Sequence, residues 1–242
     1  MSDQPSASML HMPPETSHRD AHGWRISRSK SLAAGAVCWA GFAIIAWLVL
    51  TGRTGGLDEL GLLAARTGDG GEFAGSRRLL EITRDTTALG GVFLRNLFAL
   101  GAVAALLFLN LRREAVLFAL TVIGGAIANN AVKGLVGRER PQIVPHLMEA
   151  GGESFPSGHS FNAAVIYIAM ALAFAAISRR HSVRYTIIGA AMILSAMVAW
   201  SRVMLGVHFP SDAVAGWLGG AGWAFVASAL FYRPAKVVAE SG

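Results

Sequence analysis

Charge is what this sequence most lacks. Only 15% of its 242 residues are Asp, Glu, Lys or Arg, against about 25% in an ordinary soluble domain. With 53% apolar residues the chain is not disordered, because disorder needs the opposite composition. Cysteine is almost absent. Cys38 stands alone, so no intrachain disulfide can form and a disulfide-stapled secreted domain is excluded. It lies inside an apolar run, where a small packing or lipid-facing role accounts for it. The sequence also lacks an internal repeat of 20–50 residues and any low-complexity segment. The formal charge of +6 and isoelectric point near 10.2 would suit an acidic partner in a soluble protein. Here the positions of the basic residues explain them, and no nucleic-acid partner is expected.

What is present is apolar sequence in long runs. A helix crossing a ~30 Å hydrocarbon core needs about 20 residues. Residues 32–51, 115–132, 160–178, 185–201 and 213–232 meet that need without a charge, and 88–111 meets it with one, Arg95. Backbone polar groups in lipid must be satisfied within their own segment, so these six runs are read as helices. One or two could be core helices of a soluble protein; six filling most of the chain could not. The expected fold is all-α, a six-span transmembrane bundle. Glycines such as Gly124, Gly125, Gly216, Gly219 and Gly220 are read as sites of close helix approach. Residues 1–30, polar and rich in Ser, His and Pro, read as a disordered tail. The first run is longer and deeper in the chain than the apolar part of a cleavable signal, and reads as an uncleaved span.

Basic residues set the orientation. Arg19, Arg25, Arg28 and Lys30 precede the first span. Arg112 and Arg113 follow the second, Arg179, Arg180 and Arg184 the fourth, and Arg233 and Lys236 the sixth. These four segments share one side, expected to be the cytoplasm, with 236–242 a second tail. The loop 52–87 falls on the opposite side. Its basic residues are interleaved with acidic ones, and 57–66 and 76–85 carry apolar residues at helical spacing, as in helices lying at the membrane surface or in solvated helices packed over the bundle.

Three polar clusters remain, and the helix count brings all of them to the outer side. Lys133 ends the third span, followed by Arg138-Glu139-Arg140-Pro141. Pro156-Ser157-Gly158-His159 opens the fourth. Ser201-Arg202 ends the fifth, and His208 and Asp212 open the sixth. Ionisable groups at membrane depth are costly and usually functional. Lys133, Arg140 and Arg202 supply a point charge and two planar forks for phosphate oxygens. Ser157 and Gly158 lie at a helix start, where free N–H groups and the dipole favour an anion. Asp212 follows His208 by four residues and shares its helix face. Such a pair fixes the imidazole tautomer and leaves the other nitrogen free to attack. A phosphate clamp, a nucleophile with its carboxylate and a second histidine as acid describe phosphoryl transfer.

These residues form three patterns: Lys133, six residues, Arg140-Pro141; Pro156-Ser157-Gly158-His159; and Ser201-Arg202, five residues, His208, three residues, Asp212. Together they resemble the type 2 phosphatidic acid phosphatase (PAP2) family, in its bacterial integral-membrane lipid phosphatase branch. The six-span layout extends the resemblance over 31–235. It implies that His208 is the nucleophile and forms a phosphohistidine, that Asp212 orients it, and that His159 protonates the leaving oxygen. Lys133, Arg140, Ser157, Gly158 and Arg202 would hold the phosphoryl group, with no metal and no cofactor. Arg138 and Glu139 occupy variable positions and receive no role. The implied substrate is a lipid phosphate in the bilayer: undecaprenyl diphosphate first, then phosphatidylglycerol phosphate or phosphatidic acid, then a lipid A phosphate. The implied location is the bacterial inner membrane with the site facing the periplasm. A lipid phosphotransferase would use the same residues, and an anionic-lipid transporter would use the cationic pocket without turnover. The motifs say nothing of oligomeric state.

Overall fold

The computed structural model describes residues 27–67, 71–175, 177–178 and 180–230. The expected tails, apart from Ser27 to Lys30, and the basic residues Arg179, Arg233 and Lys236 lie outside them. The elements, in chain order, are α1 (Arg28–Leu50), α2 (Gly55–Leu63), β1 (Arg66–Thr67), β2 (Glu72–Phe73), α3 (Arg77–Gly90), α4 (Val92–Phe108), α5 (Arg112–Val136), α6 (Gly158–Ala175), α7 (His181–Met204) and α8 (Pro210–Leu230). The fold is an all-α multi-pass membrane bundle. Five helices are long and apolar enough to cross a bilayer, and the α3–α4 pair makes a sixth if it is counted as one bent span.

Local sequence sets the ends of these helices. The Ser27 side chain accepts from the Lys30 N–H, so α1 begins inside the expected tail. The Ser76 side chain accepts from the Leu79 N–H and caps α3. Gly137, at φ 60°, ends α5 in the left-handed conformation glycine adopts at low cost. Pro210 occupies the first position of α8, where its missing N–H has no intrahelical role.

The core forms around α6, whose residues from Ser160 to Ala169 are all buried. It packs on α8, α7 and α5, while α1 lies along the far side of α8. Glycine makes the α6–α8 approach possible. A Cβ on Gly216 would meet Ser157 O at 2.7 Å, and one on Gly220 would overlap Phe161 O. Similarly, Gly124 and Gly125 receive Trp223 and Val165. The outward faces of α1, α4, α5 and α7 expose Val37, Phe93, Phe108, Leu135 and Ile193, a surface suited to lipid chains.

Two features differ from the sequence reading. Residues 88–111 do not form one helix: Gly91 separates α3 from α4, with a bend of 51°. Gly91 is extended at φ −65° and ψ 154°, which stops the i→i−4 ladder. The surface helix expected over 57–66 stops at Leu63, and Arg66–Thr67 pairs instead with Glu72–Phe73 in a two-stranded antiparallel ladder. The loop is nonetheless helical where the periodicity placed helices, in α2 and α3.

Gly220→Val should fold with a lower thermal midpoint in detergent, because overpacking a tight contact typically costs about 1–3 kcal/mol. Gly101→Ala, where the helix surface is open, should keep or raise the midpoint. Equal behaviour of the two variants would contradict glycine-mediated packing of α8 on α6.

Candidate functional site

The three polar clusters meet at one end of the bundle. The α5 C-terminus, the α6 N-terminus, the α7 C-terminus and the α8 N-terminus all lie there. The chain between α5 and α6 is laced to the others by backbone bonds: Ser154 N to Arg138 O at 2.7 Å, Leu147 N to Leu205 O at 3.0 Å and Ser157 N to Asp212 O at 3.0 Å.

Asp212 sits at the centre. It is fully buried and is the third residue of α8. Its Oδ2 accepts the Phe209 N–H at 3.0 Å, the reach-back bond of a capping box. The same oxygen accepts the Ser154 hydroxyl at 2.5 Å, and Oδ1 accepts Arg138 Nη1 at 2.6 Å.

His208, 1% exposed, lies just before α8. Arg140 Nη1 is 3.1 Å from its Nε2. A guanidinium only donates, so Nε2 carries the lone pair and Nδ1 carries the proton. Nδ1 is 3.2 Å from Ser154 Oγ and 3.6 Å from Asp212 Oδ2. The direct His–Asp bond suggested by their spacing is therefore relayed. Nδ1–H donates to Ser154 Oγ, whose own proton goes to Asp212. Burial pushes the His208 imidazole down to about 4; Asp212 pulls the other way, and Arg140 and Arg202 add to the lowering.

The expected cations surround this centre. Lys133 Nζ donates to Glu153 O and runs beside Gly158. Arg140 reaches Gly151 O, Gly152 O and Val207 O at 2.7, 3.0 and 2.8 Å. Arg202 is 2% exposed; its Nη1 donates to Thr87 Oγ1 and Met148 Sδ, and its Nε finds no acceptor among the described residues. Among the described residues, none of the three is paired with a carboxylate. Ser157 Oγ accepts from Ser160 Oγ at 2.9 Å and so belongs to the α6 cap. Its N–H is spent on Asp212 O, so Gly158 and His159 supply the helix-start N–H groups beside Lys133. The His159 ring lies against Gly90 of α3, within electrostatic range of Arg202, Arg95, His208 and Arg140.

Sequence reasoning missed Ser154, Arg138, Thr87 and Asp58. Arg138 was visible as a charge inside the first pattern, but nothing in its spacing tells that it bonds Asp212 and, at 2.7 Å, Asp58 of α2. Ser154 gives no sequence signal. Among the described residues no three His, Cys, Asp or Glu side chains gather as a metal site would require.

A family model described as the PAP2 superfamily matches residues 114–235. A lipid A 1-phosphatase of Rhizobium etli is 35% identical over 127 residues, 49% of this chain and 50% of the relative. Phosphatidylglycerophosphatase B of Bacillus subtilis is 38% identical over 96 residues, 37% of this chain and 44% of the relative. The chain thus spans about half the length of the curated relatives it matches, or less. The crystal structure of a transmembrane PAP2 type phosphatidylglycerolphosphate phosphatase from Bacillus subtilis superposes with a TM-score of 0.71 at 26% identity, covering 80% of this chain and 93% of that one.

The lowered His208 value has a stability consequence. The native state holds a neutral imidazole where the unfolded chain, titrating near 6.5, binds a proton. Stability contributed above that value should be lost as pH falls from about 6.5 towards 4, by about 3 kcal/mol in all. Denaturation midpoints across this window should fall for the wild type and flatten in His208→Gln. An unchanged slope would place the lost stability elsewhere.

Proposed function

The chain belongs to the PAP2 superfamily, and on that premise we propose that it is a membrane lipid phosphate phosphatase working through a phosphohistidine at His208. The observation that carries this reading is a neutral histidine whose Nε2 lone pair meets Arg140, with Lys133 and Arg202 gathered at the same end of the bundle; among the described residues none of these three cations forms a salt bridge with a carboxylate. A phosphate is the anion such a set would hold.

In this reading the phosphoryl group lies between Lys133, Arg140, Arg202 and the N–H groups that open α6. Arg140 Nη1 transfers its bond from Nε2 to a phosphoryl oxygen. The Nε2 lone pair attacks phosphorus, and the bond from phosphorus to the lipid oxygen breaks. With the negative charge of the bound phosphate offsetting the nearby arginines, protonated His159 gives its proton to that oxygen, releasing the lipid alcohol. Neutral His159 then takes a proton from water as the water oxygen attacks, the P–N bond breaks, and inorganic phosphate leaves. Asp212, through Ser154, keeps the proton on Nδ1 and stabilises positive charge developing on the ring.

Two cavities favour a lipid. An apolar groove of about 450 Å³ runs between α3 and α7, lined by Leu79, Ile82, Met197 and Trp200, and includes Ser201, the neighbour of Arg202 in the chain, and Met204. A polar cleft of about 840 Å³ is lined by Arg84, His146, Met148 and Gly151; Met148 accepts from Arg202 and Gly151 from Arg140. A tail in the groove would bring its phosphate to Arg202. The relatives named above make lipid A 1-phosphate and phosphatidylglycerol phosphate the leading substrates, with undecaprenyl diphosphate and phosphatidic acid also in the class. The location that fits the charge pattern is the inner membrane, with the site on the periplasmic face.

Purified protein should release inorganic phosphate from at least one lipid in such a panel. Label passed to a second lipid instead would make it a phosphotransferase, and phosphate-lipid binding without turnover would make it a transporter. His208→Ala should reduce turnover to background for every leaving group. General acid catalysis is worth about 10²–10⁴-fold, so His159→Ala should lose far less on a nitrophenyl phosphate than on a lipid monoester. A phosphohistidine trapped in His208→Ala but not in His159→Ala would reverse the two roles.

A further inference from the structure

We infer that Asp58, on the outer-loop helix α2, is a positioning residue for this reaction: it cancels the charge of Arg138, so that Arg138 can hold the Asp212 carboxylate without taking away the negative charge His208 needs. The inference rests on the phosphohistidine reading above.

The geometry is closed on all sides. Arg138 Nη1 bonds Asp212 Oδ1 at 2.6 Å and Ser211 Oγ at 2.8 Å, while Nη2 bonds Asp58 Oδ2 at 2.7 Å. Ser211 returns to Asp58 through its hydroxyl at 2.7 Å and its N–H at 2.9 Å. Asp58 is 1% exposed, and the Arg138 guanidinium lies 4.1 Å over the Phe209 ring. The helix carrying Asp58 is itself seated against the site. Leu62 is fully buried beside Val144, Val203 and Ala213, and Gly61 admits Pro210.

A buried carboxylate with a lone arginine forms a neutral pair, and a neutral pair orients an imidazolium poorly. With Asp58 on the other fork of the guanidinium, the three groups carry a net single negative charge. Arg138 then supplies hydrogen bonds and rigidity, and Asp212 still acts on His208 as an anion. Asp58 lies outside the matched residues 114–235, which makes the first outer loop part of the catalytic arrangement.

A plain tether between α2 and α8 would use the same bonds, so the test must read charge. The charged groups near His208 are Asp212 on α8, Arg202 on α7, His159 on α6, Lys133 on α5, Arg138, Arg140 and Glu153 between α5 and α6, and Asp58 on α2. Asp58→Asn keeps the shape and leaves Arg138 uncompensated; Arg138→Gln leaves Asp58 uncompensated. In ¹⁵N NMR titration of the full chain in detergent, His208 should titrate lower than wild type in Asp58→Asn and higher in Arg138→Gln. The double variant should return towards wild type. In turnover, Asp58→Asn should lose about 10- to 100-fold in kcat, the range seen for the outer partners of metal-held histidines, with KM within about twofold. The double variant should recover several-fold over Asp58→Asn.

An unmoved His208 titration, or a double variant worse than Asp58→Asn, would overturn the charge role and leave only a tether. If Asp58→Asn does not fold, the direction of the shift in Arg138→Gln decides alone. A wild-type protein without turnover on any lipid phosphate would defeat the proposed function, while the order of the titrations would still decide this inference.

Discussion

The structure depends on satisfying one fully buried carboxylate. Taking an ionised group out of water costs several kcal/mol unless hydrogen bonds and opposite charge replace its hydration. Asp212 obtains that replacement from the start of its own helix through the Phe209 N–H and from the α5–α6 segment through the Ser154 hydroxyl and the Arg138 guanidinium; its main-chain oxygen ties in Ser157, just before α6, and Asp58 of α2 reaches it behind Arg138. Each element that reaches Asp212 is thereby fixed relative to His208. The segment between α5 and α6, the start of α6, the start of α8 and, behind Arg138, α2 are gathered at one site around that single buried charge.

The outer loop shows the same economy. Arg66 is buried and bonds Met204 O and Pro145 O, taking up a carbonyl at the α7 C-terminus where the helix dipole favours a cation. Thr87 holds Arg202. Asp58, Arg66 and Thr87 come from three elements, α2, β1 and α3, and each fastens a different part of the site. The loop is therefore a brace across the ends of α7 and α8 and the segment between α5 and α6.

The spans were legible because their signal is additive: some twenty apolar residues in a row need no partner to be recognised. The gathering of Lys133, His159, Arg202 and His208 on one side was legible from the parity of helix crossings. The α3–α4 break was not, because Gly91 looks like every other glycine in an apolar run and only its extended backbone ends the ladder. Ser154 and Asp58 were illegible for another reason. They act across 58 and 153 residues, on Asp212 and Ser211, and a single short polar side chain leaves no periodicity. Spacing also suggested that His208 and Asp212 touch; the capping bond to Phe209 turns the carboxylate just far enough that a serine fits between them.

The apolar groove between α3 and α7 is lined on one side by a spanning helix and on the other by Leu79 and Ile82, which are partly exposed. A tail resting there need not leave the hydrocarbon layer for its headgroup to meet Arg202. In the proposed reading encounter would be a two-dimensional search within a leaflet, and the mole fraction of substrate among its neighbouring lipids would set the rate. Diluting the vesicles in buffer would leave that fraction untouched, whereas adding inert lipid would lower it.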